Sequence, residues 1–180
     1  MTDRVSRTVG NGSINLILAD ITTLKVDALV NAANSGLRGG GGVDGAIHTA
    51  AGPALMDELR TKFQHCPTGS AVITGAGNLS AKHVIHAVGP VWAGGNKGEP
   101  ELLESAYATA FRLAANHHLR TVALAAISIG IYRFPLQLAA PIAVNAAQQA
   151  LREPGTSLTE VTWALFNQPA FDAFVVALDN

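Results

Sequence analysis

The sequence is short of the groups that most site chemistries need. It holds one cysteine, Cys66, in 180 residues. One thiol excludes an internal disulfide and any multi-cysteine zinc or iron–sulfur centre. Such usage belongs to a reducing compartment, so a cytoplasmic location is expected. Charge is scarce, at 14% of residues, and neither sign dominates: 12 Lys and Arg stand against 13 Asp and Glu, a net charge of -1. Without a basic surplus, non-specific binding to a phosphate backbone is disfavoured, and nucleic acid is not expected as a partner. A local anion site stays open, because backbone amides supply one without any lysine. No apolar run reaches the roughly 18 residues of a membrane span, so no membrane partner is expected. Residues Met1 to Gly10 are polar and lack the apolar stretch of a signal peptide.

What is present is apolar: 48% of residues are hydrophobic, many of them alanine. A disordered chain needs the opposite composition. The length suits one domain spanning 1–180, with a sizeable core. Strand-like runs fall at Ile14–Ala19, Ala28–Val30, Ala71–Thr74, Val84–Val88, Val122–Ile127 and Val161–Phe166. Several are apolar at successive positions, as in strands covered on both faces. Helical patterns lie between them at Asp44–Ala51, Ala54–His65, Glu99–His118, Leu138–Arg152 and Pro169–Leu178. Alternating strands and helices predict an α/β domain, a three-layer α/β/α sandwich with a mostly parallel sheet. Pro141 either starts the fourth helix or kinks it.

The most unusual segment runs from Asn31-Ala-Ala-Asn34 through Gly39-Gly-Gly-Gly42-Val-Asp44 to His48. It follows an apolar strand and precedes a helix. Four consecutive glycines are costly in an ordered chain. A flexible surface loop is one reading. The other is an anion-binding concavity of backbone N–H groups, backed by the positive end of the helix that follows. A second loop, Ser128-Ile-Gly130-Ile-Tyr132-Arg-Phe-Pro135, also leaves a strand. Ligands of open α/β sheets bind at the carboxyl ends of strands, so two such loops could clasp one diphosphate. The fingerprint of nicotinamide enzymes places G-x-G-x-x-G in the first strand–helix turn, but here the first strand ends in Ala19-Asp20-Ile21-Thr22 with no glycine cluster, and the P-loop pattern is missing.

Taken together, Asp20-Ile-Thr, Asn31-Ala-Ala-Asn34, Gly39–His48 and Ile127–Pro135 resemble the macro domain family. The resemblance is to the branch containing bacterial O-acetyl-ADP-ribose deacetylases and mono-ADP-ribosyl hydrolases. Ala51-Gly-Pro-Ala54, Cys66-Pro-Thr-Gly69 and His86-Ala-Val-Gly-Pro-Val-Trp92 support it, in the family's order. It implies a single macro domain with a mixed, six-stranded sheet and ADP-ribose in a cleft across its top. By resemblance, Asp20 accepts from the adenine amine, with Ile21 beside the ring and Phe166 near it. Asn34 contacts the distal ribose. Gly41, Gly42 and Val43 belong to the first phosphate loop. Ser128, Ile129, Gly130, Ile131 and Tyr132 belong to the second, with Tyr132 also beside the distal ribose. Asp44 is the carboxylate tied to hydrolysis. No cofactor and no metal are implied; the partners are ADP-ribose or its derivatives, and ADP-ribosylated proteins.

The residue chemistry fits these roles and leaves alternatives. An ionised Asp20 only accepts, which selects an exocyclic amine; it could equally cap a helix start. Asn34 offers donor and acceptor to ribose hydroxyls, or ties its own turn. At Asp44 a helix N-terminus lowers the pKa, while a bound diphosphate raises it. Either Asp44 takes a proton from the attacking water, or a substrate phosphate orients the water and Asp44 holds the ribose. His48, one turn on, shares Asp44's face and is either a catalytic partner or a core residue. His83 and His86 point to opposite faces of one strand and are read as packing. His117 and His118 are read as a helix terminus, and Cys66 as an inert thiol.

The second loop departs from the family's Ser-Thr-Gly-Ile-Tyr-Gly-Phe-Pro: Ile129 replaces the threonine, and Arg133 replaces the second glycine. Where that position needs φ > 0, an arginine costs about 1 kcal/mol or more. The resemblance implies a hydrolase removing acetyl from O-acetyl-ADP-ribose, or ADP-ribose from acidic side chains. The rival is a reader module that binds ADP-ribose without cleaving it.

Overall fold

The computed structural model describes residues 3–180. Seven strands are β1 (Arg4–Val9), β2 (Gly12–Leu18), β3 (Ala28–Ala32), β4 (Ala71–Gly75), β5 (His83–Ala87), β6 (Thr121–Leu124) and β7 (Glu160–Leu165). Five helices are α1 (Gly42–Ala51), α2 (Pro53–Lys62), α3 (Glu99–Asn116), α4 (Leu136–Arg152) and α5 (Gln168–Asp179). One sheet holds all seven strands in the order β1-β2-β7-β6-β3-β5-β4. The five central strands are mutually parallel, and the edge strands β1 and β4 are antiparallel.

The three-layer sandwich is as the alternating pattern predicts, with one correction. The sheet has seven strands, where six were expected. The additional strand is β1, whose Arg, Ser and Thr side chains are mostly exposed. It pairs with β2 across the Gly10–Asn11 turn, and an exposed edge strand has little apolar patterning to betray it.

Parity along the strands divides the core. Val30, Ile85, Val122 and Trp163 pack in the cluster shared with α3, α4 and α5. Leu29, Val84 and Ala123 pack with Ile47 of α1 and Leu55 of α2. Alanine does much of this work: Ala139, Ala140, Ala143, Ala146 and Ala147 of α4 are buried, which lets the helix lie close on the sheet. Pro141 is inside α4, which starts at Leu136. It sits at an exposed position, where the Gln137 carbonyl that it deprives of a donor can be solvated.

Candidate active site

The carboxyl ends of all five parallel strands open into one cleft of about 1030 Å³. That is the upper end of the roughly 300–1,000 Å³ typical of ligand sites. Each strand delivers its own piece. After β2 come Ala19, Asp20 and Ile21; after β3 come Asn34 and Gly40 to Asp44. Gly89 follows β5, Ala125 to Ser128 and Gly130 to Tyr132 follow β6, and Phe166 follows β7. The sheet thus brings together both glycine loops, the carboxylate Asp44 and all three proposed adenine-side residues, Asp20, Ile21 and Phe166.

Individual roles are more mixed. Asp20 caps a single 3-10 turn, Ile21–Thr23, accepting from Thr22 N at 2.9 Å and Thr22 Oγ1 at 2.7 Å. These Thr22 donors, side chain first, hold its carboxyl below the usual range. Capping and cleft-lining therefore coexist. Asn34 ties its own loop, donating to the Gly39 carbonyl at 2.8 Å and accepting from Arg38 N at 3.1 Å. It lines the cleft as well. The Ile129 side chain does not line the cleft; it packs against the main core, so only its backbone could serve a ligand. Ile131 and Phe166, 90% and 62% exposed, are apolar surfaces waiting at the cleft mouth.

The first glycine loop feeds α1. Gly41 is the N-cap and offers no side-chain cap, so the first-turn amides have no intrahelical partner. They lie at the cleft edge, where the helix dipole favours an anion. The second loop is held from behind. Buried Tyr107 of α3 accepts from Ile127 N at 2.9 Å, and burial pushes its phenol up to about 12. Trp92 N donates to the Tyr132 carbonyl at 2.8 Å, and the Trp92 ring packs tilted against Phe134, centroids 4.8 Å apart. A buried carboxylate anchors the Trp92 segment: Glu99 accepts from the amides of Ala93, Gly95 and Lys97. Burial opposes its charge, but those amides hold it at about 2.

Arg133 has φ 60°, so the position does demand the left-handed region. Its side chain is exposed and is not part of the cleft lining. Arg133→Gly relieves the strain of the left-handed conformation but gives up chain stiffness in the unfolded state. A net stability gain of roughly 0.5–1 kcal/mol is expected in chemical denaturation.

Asp44 is 7% exposed. Its Oδ1 accepts from Asn31 Nδ2 at 2.7 Å and lies 3.4 Å from His48 Nε2. Burial opposes ionisation most strongly, yet the His48 and Asn31 hydrogen bonds and nearby imidazole charge outweigh it. The carboxyl stays below the ordinary range, hence ionised at neutral pH. Oδ2 faces the first loop: a Cβ placed on Gly40 would lie 3.5 Å from it and 3.9 Å from Asn34 Nδ2. His48 is not in the cleft lining. It lines a shallow hollow of about 450 Å³ behind the loop, with Arg38, Pro53 and Met56.

Sequence reasoning missed the support of Asp44. Asn31 and His86 are wholly buried and sit directly opposite one another on β3 and β5. Asn31 Nδ2 is 3.4 Å from His86 Nδ1, and His86 Nε2 is 3.0 Å from Thr74 Oγ1 on β4. The opposite-face reading of the histidine pair holds: His83 packs on His117, the residue that caps the end of α3, at 5.6 Å. Burial, then the His48 charge, lowers the His86 pKa to about 4 against the pull of Asp44 and Glu58. The unfolded chain then binds the proton first. Stability is lost as pH falls from about 6.5 towards 4, by a limit of roughly 3 kcal/mol from this group. Asp44, with its depressed pKa, loses stability in the same direction. Urea midpoints measured between pH 7 and 4 should fall, and His86→Gln should flatten that fall.

Cys66 is wholly buried and burial pushes its thiol up, as an inert thiol requires. His117 Nδ1 contacts the Leu113 carbonyl at the end of α3, at 2.9 Å.

Among the described residues, no helix is long and apolar enough to cross a membrane. Comparison with known proteins agrees with the geometry. The family model described as Macro domain matches residues 30–143. A macro domain-containing protein of Caldanaerobacter subterraneus is 51% identical over 93% of this chain and 96% of its own. An O-acetyl-ADP-ribose deacetylase of Salmonella typhimurium is 58% identical over 73% of this chain and 75% of its own. An Oceanobacillus iheyensis macrodomain structure with ADP has a TM-score of 0.93 at 33% identity, covering 99% of this chain and 96% of that one. A Trypanosoma brucei macrodomain in complex with ADP-ribose has a TM-score of 0.83 at 38% identity, covering 89% and 67%.

Proposed function

This chain belongs to the macro domain family, and we propose that it binds ADP-ribose in the cleft and hydrolyses esters at the distal ribose. Relatives named as O-acetyl-ADP-ribose deacetylases and a neighbour holding ADP-ribose support the substrate class. The observation that carries the reading is Asp44: an ionised carboxylate that lines the cleft between two amide-rich loops, with Oδ1 held by Asn31 and Oδ2 close to Gly40 of the first loop.

The diphosphate lies between the first-turn amides of α1 and the 128–132 loop, gripped by main-chain donors rather than by cationic side chains. The adenine end rests near Asp20, Ile21 and Phe166; the distal ribose reaches Asn34, Tyr132 and Asp44. Asp44 Oδ2 accepts a proton as a water oxygen bonds to the ester carbonyl carbon. The tetrahedral intermediate then breaks its bond to the ribose oxygen, which takes the proton from Asp44. Acetate and ADP-ribose leave. With a mono-ADP-ribosylated Asp or Glu the same cleavage frees the protein carboxylate, which makes ADP-ribosylated proteins a second substrate class.

Purified protein mixed with O-acetyl-ADP-ribose, and separately with a peptide mono-ADP-ribosylated on glutamate, tests this. Release of ADP-ribose from at least one is expected. Tight binding of ADP-ribose without turnover of either would leave a reader module.

A further inference from the structure

The buried row behind Asp44 has a direction. The Thr74 hydroxyl donates to a backbone carbonyl, Gly75 O at 2.8 Å with Val84 O at 3.5 Å. Its oxygen can therefore only accept from His86, which puts the imidazole proton on Nε2. His86 Nδ1 is then an acceptor facing Asn31. With Asp44 Oδ1 on its other side, the Asn31 amide meets two acceptors and must turn its NH₂ toward both. The opposite orientation would set the amide oxygen against a carboxylate and a lone pair. The three strands that carry this row, β4, β5 and β3, are adjacent in the sheet, so the backbone ladder fixes the spacing.

We propose that His86, neutral and protonated on Nε2, is a positioning residue for hydrolysis: through Asn31 it holds Asp44 Oδ1 and leaves Oδ2 to take the proton from water. The proposal rests on the hydrolase reading. His86 is not among the residues that line the cleft, and its hydrogen-bonding link to Asp44 runs through Asn31. The charged or titratable groups facing it are Asp44 and His48 on α1 and Glu58 on α2; the His48 ring is 6.0 Å away. A second proton on His86 would oppose a donor to the Asn31 NH₂ and break the row.

Two variants and two spectra test it. In His86→Asn the amide oxygen can stand where Nδ1 stood; in His86→Leu no acceptor remains. His86→Leu should lower kcat about tenfold to a hundredfold, with KM and the ADP-ribose Kd within about threefold, and His86→Asn should recover most of the rate. Equal losses in the two variants, or a loss confined to KM, would overturn the assignment. Ring ¹⁵N spectra of the wild-type protein should show His86 neutral with its proton on Nε2; a proton on Nδ1 at pH 7 would overturn it, even if His86→Leu does not fold. The ¹³C titration of the Asp44 carboxyl should move up in pH in either folded variant, more in His86→Leu; an unmoved midpoint would contradict the proposal. These spectra need no turnover. A wild-type protein that turns over neither ester would remove the hydrolase reading, and with it the kinetic role, while leaving the hold on Asp44 to be judged by them.

Discussion

Asp44→Ala is expected to lower kcat on O-acetyl-ADP-ribose about a thousandfold, within the 10²–10⁴-fold range of a positioned general base, and to leave the Kd for ADP-ribose within about threefold. The asymmetry follows from the geometry. In the proposed mode the diphosphate is held by backbone amides, which the substitution does not touch. The proposed role of the carboxylate lies in the step in which water is deprotonated, when charge is shared between water and Oδ2. Removing a like charge close to a diphosphate could even tighten ground-state binding. Stopped turnover assays and calorimetry on the same variant separate the two quantities. Parallel losses in rate and affinity would take Asp44 out of the chemistry and make it a ribose-holding group.

The second large effect is steric. Gly45 lies in the first turn of α1, and a Cβ there would overlap the backbone carbonyl of Gly40. Backbone cannot rotate away as a side chain can. Gly45→Val must push the 39–42 loop outward, with an overpacking cost of roughly 1–3 kcal/mol, and a displaced loop no longer aims its amides at one point. A fall in ADP-ribose affinity of about a hundredfold is expected, since misplacement of about 1 Å can cost that much. Gly41→Ala is the control. Its φ is -90° and its Cβ would meet nothing within 4 Å, so the melting temperature should not move. Wild-type affinity in Gly45→Val would show that the loop does not grip the ligand.

Much of the architecture was legible because burial writes itself into apolar patterns. The helix expected over Glu99–His118 runs over Glu99–Asn116, because its apolar residues recur at helical spacing. The helix expected over Ala54–His65 ends at Lys62, where Phe63 turns extended; nothing in Phe63-Gln-His announces that turn. β1 escaped because an edge strand exposes most of its side chains. The Gly-Asn pair after it was the available signal. The cleft was legible through its glycines, whose cost in an ordered chain demands a reason. The support of Asp44 was not. Asn31 and His86 are 55 positions apart, and they meet only because β3 pairs with β5 in a register that places them opposite one another. Single-strand parity gives the face of each residue but not its neighbour on the next strand. Glu99 hid for a related reason: at a helix start a glutamate passes for a dipole partner, while its three backbone donors come from a segment without regular structure.

The most direct measurement is a crystal structure of the protein with ADP-ribose. The diphosphate is expected between the amides of residues 41–44 and those of residues 128–132, with adenine beside Asp20 and Phe166 and the distal ribose within hydrogen-bonding reach of Asp44 Oδ2. A diphosphate bound by Arg38 or Arg133 side chains outside the cleft, or a ribose turned away from Asp44, would contradict that placement.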